Sequence, residues 1–317
     1  MPEPSAAAET SLPQLSAHAG RRRQPWRRSL ARLLACLALG GLGGCALLDR
    51  PQRQWIFQPG THAHPARVGA AAGLEEVWID LPGGHGSLHA LWLPQPAPDA
   101  PQMLYLHGAR WDIRSSAARM RRMQSLGFSV LGIDYRGFGS STMLLPSEAS
   151  VHADARAAWE WLRARQPGAR RFIYGHSLGG AIGVRLAGAE PDAAGLIVEG
   201  GFTSIADVFT TFRWGWLPAR PFITQPFDAA RQIAGLRLPV LVVHGERDRM
   251  VPPALGRALY ERANEPKRFV LVPHAQHHDT DELGQAQYRQ ALAEFFGLGG
   301  AVPGPTLSAG VVQFRDE

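Results

Sequence analysis

Cysteine, lysine and long apolar runs are all scarce in this 317-residue chain. Cys36 and Cys45 are the only cysteines, which excludes a disulfide framework and a cysteine zinc site. Lys267 is the only lysine, so 32 of the 33 basic residues are arginines, a preference that codon bias explains as readily as a binding surface. The uncharged apolar stretch from Leu33 to Gly44 falls short of the roughly 18 to 20 residues that span a bilayer as a helix. Hydrophobic residues, in contrast, make up 45% of the chain and charged ones 19%, which excludes disorder for most of its length and predicts a real core.

The net charge of +6 invites a nucleic-acid partner until it is located. Residues 21–32 read RRRQPWRRSLAR and precede the apolar stretch, a positive segment and a short hydrophobic one in the order of a signal peptide. Leu42-Gly43-Gly44-Cys45 resembles the bacterial lipobox, in which the cysteine is lipidated and becomes the first residue of the mature chain. Ala46 after it, with no Asp there, implies outer-membrane sorting, on the periplasmic side, in an organism with two membranes. Residues 1–44 are therefore expected to be a disordered leader and lipoprotein signal peptide, 45–54 a lipidated tether, 55–298 the folded domain, and 299–317 a flexible tail. The leader holds six arginines against Glu3 and Glu9, and residues 45–317 hold 27 basic and 25 acidic residues. The excess positive charge thus belongs largely to an export segment, and the expected partner is a membrane of the cell envelope, held through Cys45, with no nucleic acid.

Beyond residue 73 the chain settles into a rhythm. Strand-like runs are expected at Glu76–Leu81, Leu88–Leu93, Gln102–His107, Phe128–Tyr135, Arg171–Tyr174, Gly195–Glu199, Pro239–Val243 and Arg268–Val272. Helical segments are expected at Ile113–Leu126, Val151–Arg165, Leu178–Ala189, Pro253–Ala263 and Asp281–Phe296. Two hairpin-like strands followed by alternating strand and helix predict an α/β fold with a mostly parallel eight-stranded sheet and helices on both faces. A site in such a fold lies at the C-terminal ends of the strands.

Gly175-His176-Ser177-Leu178-Gly179 is the only G-x-S-x-G in the chain. It follows an apolar strand and opens a helix rich in small residues, the setting in which a tight turn presents a serine nucleophile. A serine hydroxyl needs a histidine to accept its proton and a carboxylate to orient that histidine. Asp248, just beyond the strand ending at Val243, is the candidate acid, with Glu199 at the end of the preceding strand as an alternative. His274, His277 and His278 crowd the loop after the last strand. With Asp279 they raise the thought of a metal, but no H-E-x-x-H pattern or cysteine ligand accompanies them, and no metal or cofactor is expected. Backbone N–H groups of Leu178 and Ala109 are candidate oxyanion donors, one following the nucleophile and one in the loop after the third strand. His107 and His176 read as shaping their loops.

From about Trp55 to Phe296 the chain resembles the α/β-hydrolase superfamily, in the branch that contains bacterial serine hydrolases and protein-depalmitoylase-like enzymes. The resemblance rests on Ile56-Phe57-Gln58-Pro59, His107-Gly108, Asp134-Tyr135-Arg136-Gly137-Phe138-Gly139-Ser140, the serine turn, His244-Gly245-Glu246-Arg247-Asp248 with Val251-Pro252, and the histidine loop. The family often carries Asn where this chain has Ala109, and G-x-G-H-N-D where it has His274-Ala275-Gln276-His277-His278-Asp279; alignment on Asp279 selects His277. The resemblance implies a Ser177–Asp248–His277 triad and a short cap over the site, at about residues 203–238. That insertion contains Phe209, Phe212, Trp214, Trp216, Phe222 and Phe227, which suits a hydrophobic pocket or the packing of the cap itself. The expected activity is hydrolysis of a carboxylic ester or thioester on a small-molecule or lipid-like acyl substrate. A peptidase or amidase on the same scaffold, or a non-catalytic membrane-anchored binding module, is the alternative.

Overall fold

Residues 47–60, 73–212 and 215–298 are described by a computed structural model of the protein. The leader, Cys45, Trp214 and the 299–317 tail lie outside these residues. All eight expected apolar runs form strands: β1 Glu75–Asp80, β2 Ser87–Leu93, β3 Gln102–Leu106, β4 Ser129–Ile133, β5 Arg171–His176, β6 Ala193–Glu199, β7 Val240–Gly245 and β8 Lys267–Val272. They make one sheet in the order β1-β2-β4-β3-β5-β6-β7-β8. β2 runs antiparallel to β1 and β4, and every pairing from β4 to β8 is parallel.

Residues 47–57 are helical, α1; then come α2 Ala117–Ser125, α3 Glu148–Arg165, α4 Leu178–Ala189, α5 Ile205–Thr210, α6 Ala229–Ile233, α7 Pro253–Arg262, α8 Thr280–Leu283 and α9 Gln285–Phe296. They cover both faces of the sheet because successive strand residues point to opposite sides. Leu104, Leu106, Val240 and Val242 pack with Trp159 of α3, Val184 of α4 and Leu259 of α7. Their neighbours Met103, Tyr105, Leu241 and Val243 pack with Met120 and Met123 of α2 and Leu292 and Phe296 of α9.

Local chemistry sets the helix boundaries. Ser147 and Ser150 exchange side-chain and backbone hydrogen bonds, 2.8 and 3.1 Å, in a capping box that starts α3. The expected helix from Asp281 is interrupted at Gly284, where a Cβ would meet the Thr280 carbonyl oxygen at 2.6 Å and Val272 at 2.9 Å. The expected start at Ile113 is a short 3-10 turn, Ile113–Ser116, capped by Asp112.

The insertion after β6 holds α5, a 3-10 turn at Arg220–Phe222 and α6, none of which the periodicity revealed. α1 lies against it, in a stretch whose sequence showed no helical pattern. Gln52 donates to the Phe222 carbonyl at 2.7 Å and accepts from the Thr224 N–H at 2.9 Å, and Gln225 donates to Asp49 at 2.8 Å. Among the described residues no helix is long and apolar enough to cross a membrane.

Candidate active site

The chain steps from β3 outward to β4 and then back across β3 to β5, so the strand order reverses beside β3, where open α/β sheets leave a crevice at the strand ends. Ser177 stands at the end of β5, with φ 55° and ψ −119°. Such a backbone is strained for a residue with a Cβ, and its neighbours explain how it is kept. A Cβ on Gly179 would sit 2.0 Å from the Leu106 carbonyl oxygen, and one on Gly175 would sit 2.2 Å from the carbonyl oxygen of Gly179. Both glycines are therefore required for α4 to begin so close to β3 and β5. The Ser177 N–H donates to the Glu199 carbonyl at 2.8 Å, which ties the turn to β6.

Asp248 sits in the loop after β7. Its Oδ1 accepts the backbone N–H groups of Met250 at 2.9 Å and Val251 at 2.8 Å, and its Oδ2 lies 2.6 Å from Nδ1 of His277. Burial alone would raise this carboxyl, but hydrogen bonds from His244 and His277, the His277 charge and the Val251 N–H outweigh it and hold it well below the usual carboxylate range. With Nδ1–H donated to Asp248, Nε2 of His277 is left as the acceptor, the tautomer a general base requires. A Cβ on Gly200 would lie 3.2 Å from the His277 ring, so the glycine makes room for the imidazole.

The three loop histidines separate clearly. His277 is buried and paired with Asp248. His274 is exposed, 3.7 Å from Glu246. His278 packs on Trp111 with ring centroids 5.0 Å apart; burial, then the neighbouring His277 and Arg119 charges, push it down to about 4, so it is neutral at pH 7. His176 donates from Nε2 to the His277 carbonyl at 2.9 Å, and burial holds it well below its ordinary value. His107 packs on Tyr135 and Phe138 at 4.6 and 5.1 Å.

Ser177 and His277 line one cavity of about 400 Å³, within the range of small-molecule sites. Among the described residues the Ser177 hydroxyl has no hydrogen-bond partner within the chain, a common state before substrate draws nucleophile and base together. Ala109 and Leu178 line the same cavity. As the first residue of α4, Leu178 has no intrahelical acceptor for its N–H. The next residue after Ala109, Arg110, is in the left-handed region at φ 65° and donates its N–H to the Phe57 carbonyl of α1 at 3.0 Å. This bond anchors the loop that carries the Ala109 N–H.

Glu199 is engaged elsewhere. Fully buried, it pairs with Arg119 of α2 and accepts hydroxyls from Tyr174, at 2.9 Å, and Tyr288. Arg119 also pairs with Asp281 at 3.0 Å and donates to the His278 carbonyl at 3.0 Å. Its hydrogen bonds run from 25 residues, Tyr174 to Glu199, to 159 residues, Arg119 to His278, and no local pattern in the sequence signals it. Removing one member of a buried ion pair leaves the other uncompensated. Arg119→Met is accordingly expected to lower stability by about 3–5 kcal/mol, measured by urea unfolding.

Comparison with known proteins agrees with this architecture. Residues 98–224 match the family model described as "Serine aminopeptidase, S33". An uncharacterised Mycobacterium tuberculosis protein is 33% identical over 266 residues, covering 83% of this chain and 93% of that protein. The α/β-hydrolase domain-containing protein WAV2 of Arabidopsis thaliana is 31% identical over 286 residues, covering 81% and 91%. The lysophosphatidylserine lipase ABHD12 of Danio rerio is 30% identical over 253 residues, covering 69% of this chain and 63% of that longer protein. Among solved structures, the Butyrivibrio proteoclasticus protein Est1E, bound to ferulic acid, superposes with a TM-score of 0.59 at 19% identity, over 70% of this chain and 99% of its own. By this kinship and by its fold, the chain belongs to the α/β-hydrolase family of hydrolases.

Proposed function

We propose that the chain is a serine hydrolase that cleaves carboxylic ester or thioester bonds of a lipid-like acyl substrate through an acyl-Ser177 intermediate. The observation that carries this is the 2.6 Å contact between His277 Nδ1 and Asp248 Oδ2 beside a cavity that also receives Ser177. Nε2 of His277 takes the hydroxyl proton as Ser177 Oγ attacks the carbonyl carbon, and Asp248 stabilises the imidazolium. The N–H groups of Ala109 and Leu178 meet the developing oxyanion. Collapse expels the alcohol or thiol, which takes the proton from His277, and water repeats the sequence on the acyl-enzyme.

The apolar part of the cavity, Trp55, Ile56, Phe202, Ile205, Val208 and Phe212, supports an acyl substrate, as does the lipase named among the relatives. Description of the matching family model as a serine aminopeptidase favours a second reading, a peptidase or amidase. Turnover of p-nitrophenyl acyl esters and acyl thioesters, with peptide p-nitroanilides inert, is the result expected; the reverse pattern selects the peptidase. We also place the mature protein in the cell envelope, anchored through lipid on Cys45. Cys45→Ala is then expected to abolish labelling by radioactive palmitate and to release the protein from the membrane fraction. Unchanged labelling and fractionation would contradict the anchor.

A further inference from the structure

A second cavity, about 330 Å³, adjoins the one that receives Ser177. Trp55, Ile56 and Ile205 line both, so the two share a wall made by α1 and the start of the cap. Beyond that wall the lining is supplied by Phe209, Ala219 and Ile223, among others, and among the described residues no charged side chain takes part. Gln52 lines it too, but spends its amide on the Phe222 carbonyl and the Thr224 N–H. The lining is thus predominantly apolar and offers a polar guest little to replace its hydrogen bonds to water. The space is a groove partly open to solvent, with Trp55 and Phe222 about half exposed along it, and an apolar guest lying in it would cover this apolar surface.

The first cavity differs in kind. Arg110, Arg119, Arg122 and His278 line it and do not line the second. A substrate with one polar and one apolar side is therefore sorted by chemistry. We propose that the cavity between α1 and the cap is the acyl-chain subsite. With the carbonyl carbon at Ser177, the alkyl chain passes Ile205 and Trp55 into this space, and the polar leaving group stays in the arginine-bearing cavity. Acyl-chain length is then selected by Phe209, Ala219 and Ile223, and α1 forms part of the binding site. Trp55 packs edge-on against Phe212 of the cap, with ring centroids 5.8 Å apart, which holds the shared wall together.

This inference rests on Ser177 being the acyl acceptor, so its test has two arms. In the first, kcat/KM is measured for p-nitrophenyl esters from C2 to C16. Each methylene that enters the subsite is expected to raise kcat/KM about fourfold, until the cavity is full. Ala219→Trp, which fills the space, is expected to lower the dodecanoyl-to-acetyl ratio of kcat/KM by tenfold or more. Phe209→Ala, which enlarges it, should move the optimum to longer chains and keeps the test open should the tryptophan variant fail to fold. In the second arm, dodecanoate binding to Ser177→Ala protein is followed by calorimetry, which needs no catalysis. Saturable binding that Ala219→Trp abolishes is expected. Cavity-dependent binding without ester turnover would keep the subsite and remove the hydrolase reading. Ester turnover whose chain-length profile is the same in all three proteins, with fatty-acid affinity indifferent to residue 219, would overturn the subsite and leave the hydrolase standing.

Discussion

Replacement of Ser177 by Ala is expected to lower kcat for acyl esters by about 10³-fold or more, with the fold unchanged. The side chain is free of hydrogen bonds within the chain among the described residues, so its loss breaks none of them. Strain at φ 55° belongs to the backbone and is maintained by Gly175, Gly179 and the bond from the Ser177 N–H to Glu199. Alanine inherits that geometry. Activity and stability should therefore separate: turnover falls, and the urea midpoint stays within the error of the wild type. Backbone donors survive the substitution, so substrate binding changes much less than kcat.

The second large effect concerns the two adjacent histidines. His277→Ala is expected to cost about 10³-fold or more in kcat, because Asp248 then has no imidazole to orient and Ser177 has no base. His278→Ala is expected to cost about 10²-fold or less, since its ring packs on Trp111 and misplacement near the site costs up to about that much, less than a lost base. Asp248→Asn should resemble the His277 variant more closely than the His278 variant, by removing the acceptor that fixes the Nδ1 proton. Measured kcat for the three variants side by side checks the assignment. Retained activity in His277→Ala with loss in His278→Ala would reverse it.

Much of this framework was legible in the sequence because its signals are local. Eight apolar runs bounded by turns gave the strands, and a G-x-S-x-G between strand and small-residue helix marked Ser177. Asp248 followed from its place beyond Val243. His277 could not be told from His274 and His278 by local pattern; alignment on Asp279 singled it out, and in the structure it is His277 that lies against Asp248. Elements stabilised by distant contacts were not legible. α1 carries Pro51 and three charges in a stretch with no helical periodicity, and its contacts with Thr224 and Gln225 are over 170 residues away. The short α5 and α6 of the cap offered too few residues for a 3.6-residue period to show. The Arg119–Glu199–Asp281 network is likewise a product of topology: three elements far apart in the chain meet beneath the histidine loop. Glu199, the alternative acid in the sequence, is held by Arg119, Tyr174 and Tyr288.

Whether Ser177 is an activated nucleophile is decided by covalent labelling of the folded wild-type protein with a fluorophosphonate, followed by peptide mapping. Such a probe reacts only with a serine that a neighbouring base has activated. A single adduct on Ser177 is expected, absent from Ser177→Ala and strongly slowed in His277→Ala. Folded protein that takes up no label, or that is labelled equally well without His277, would refute the triad.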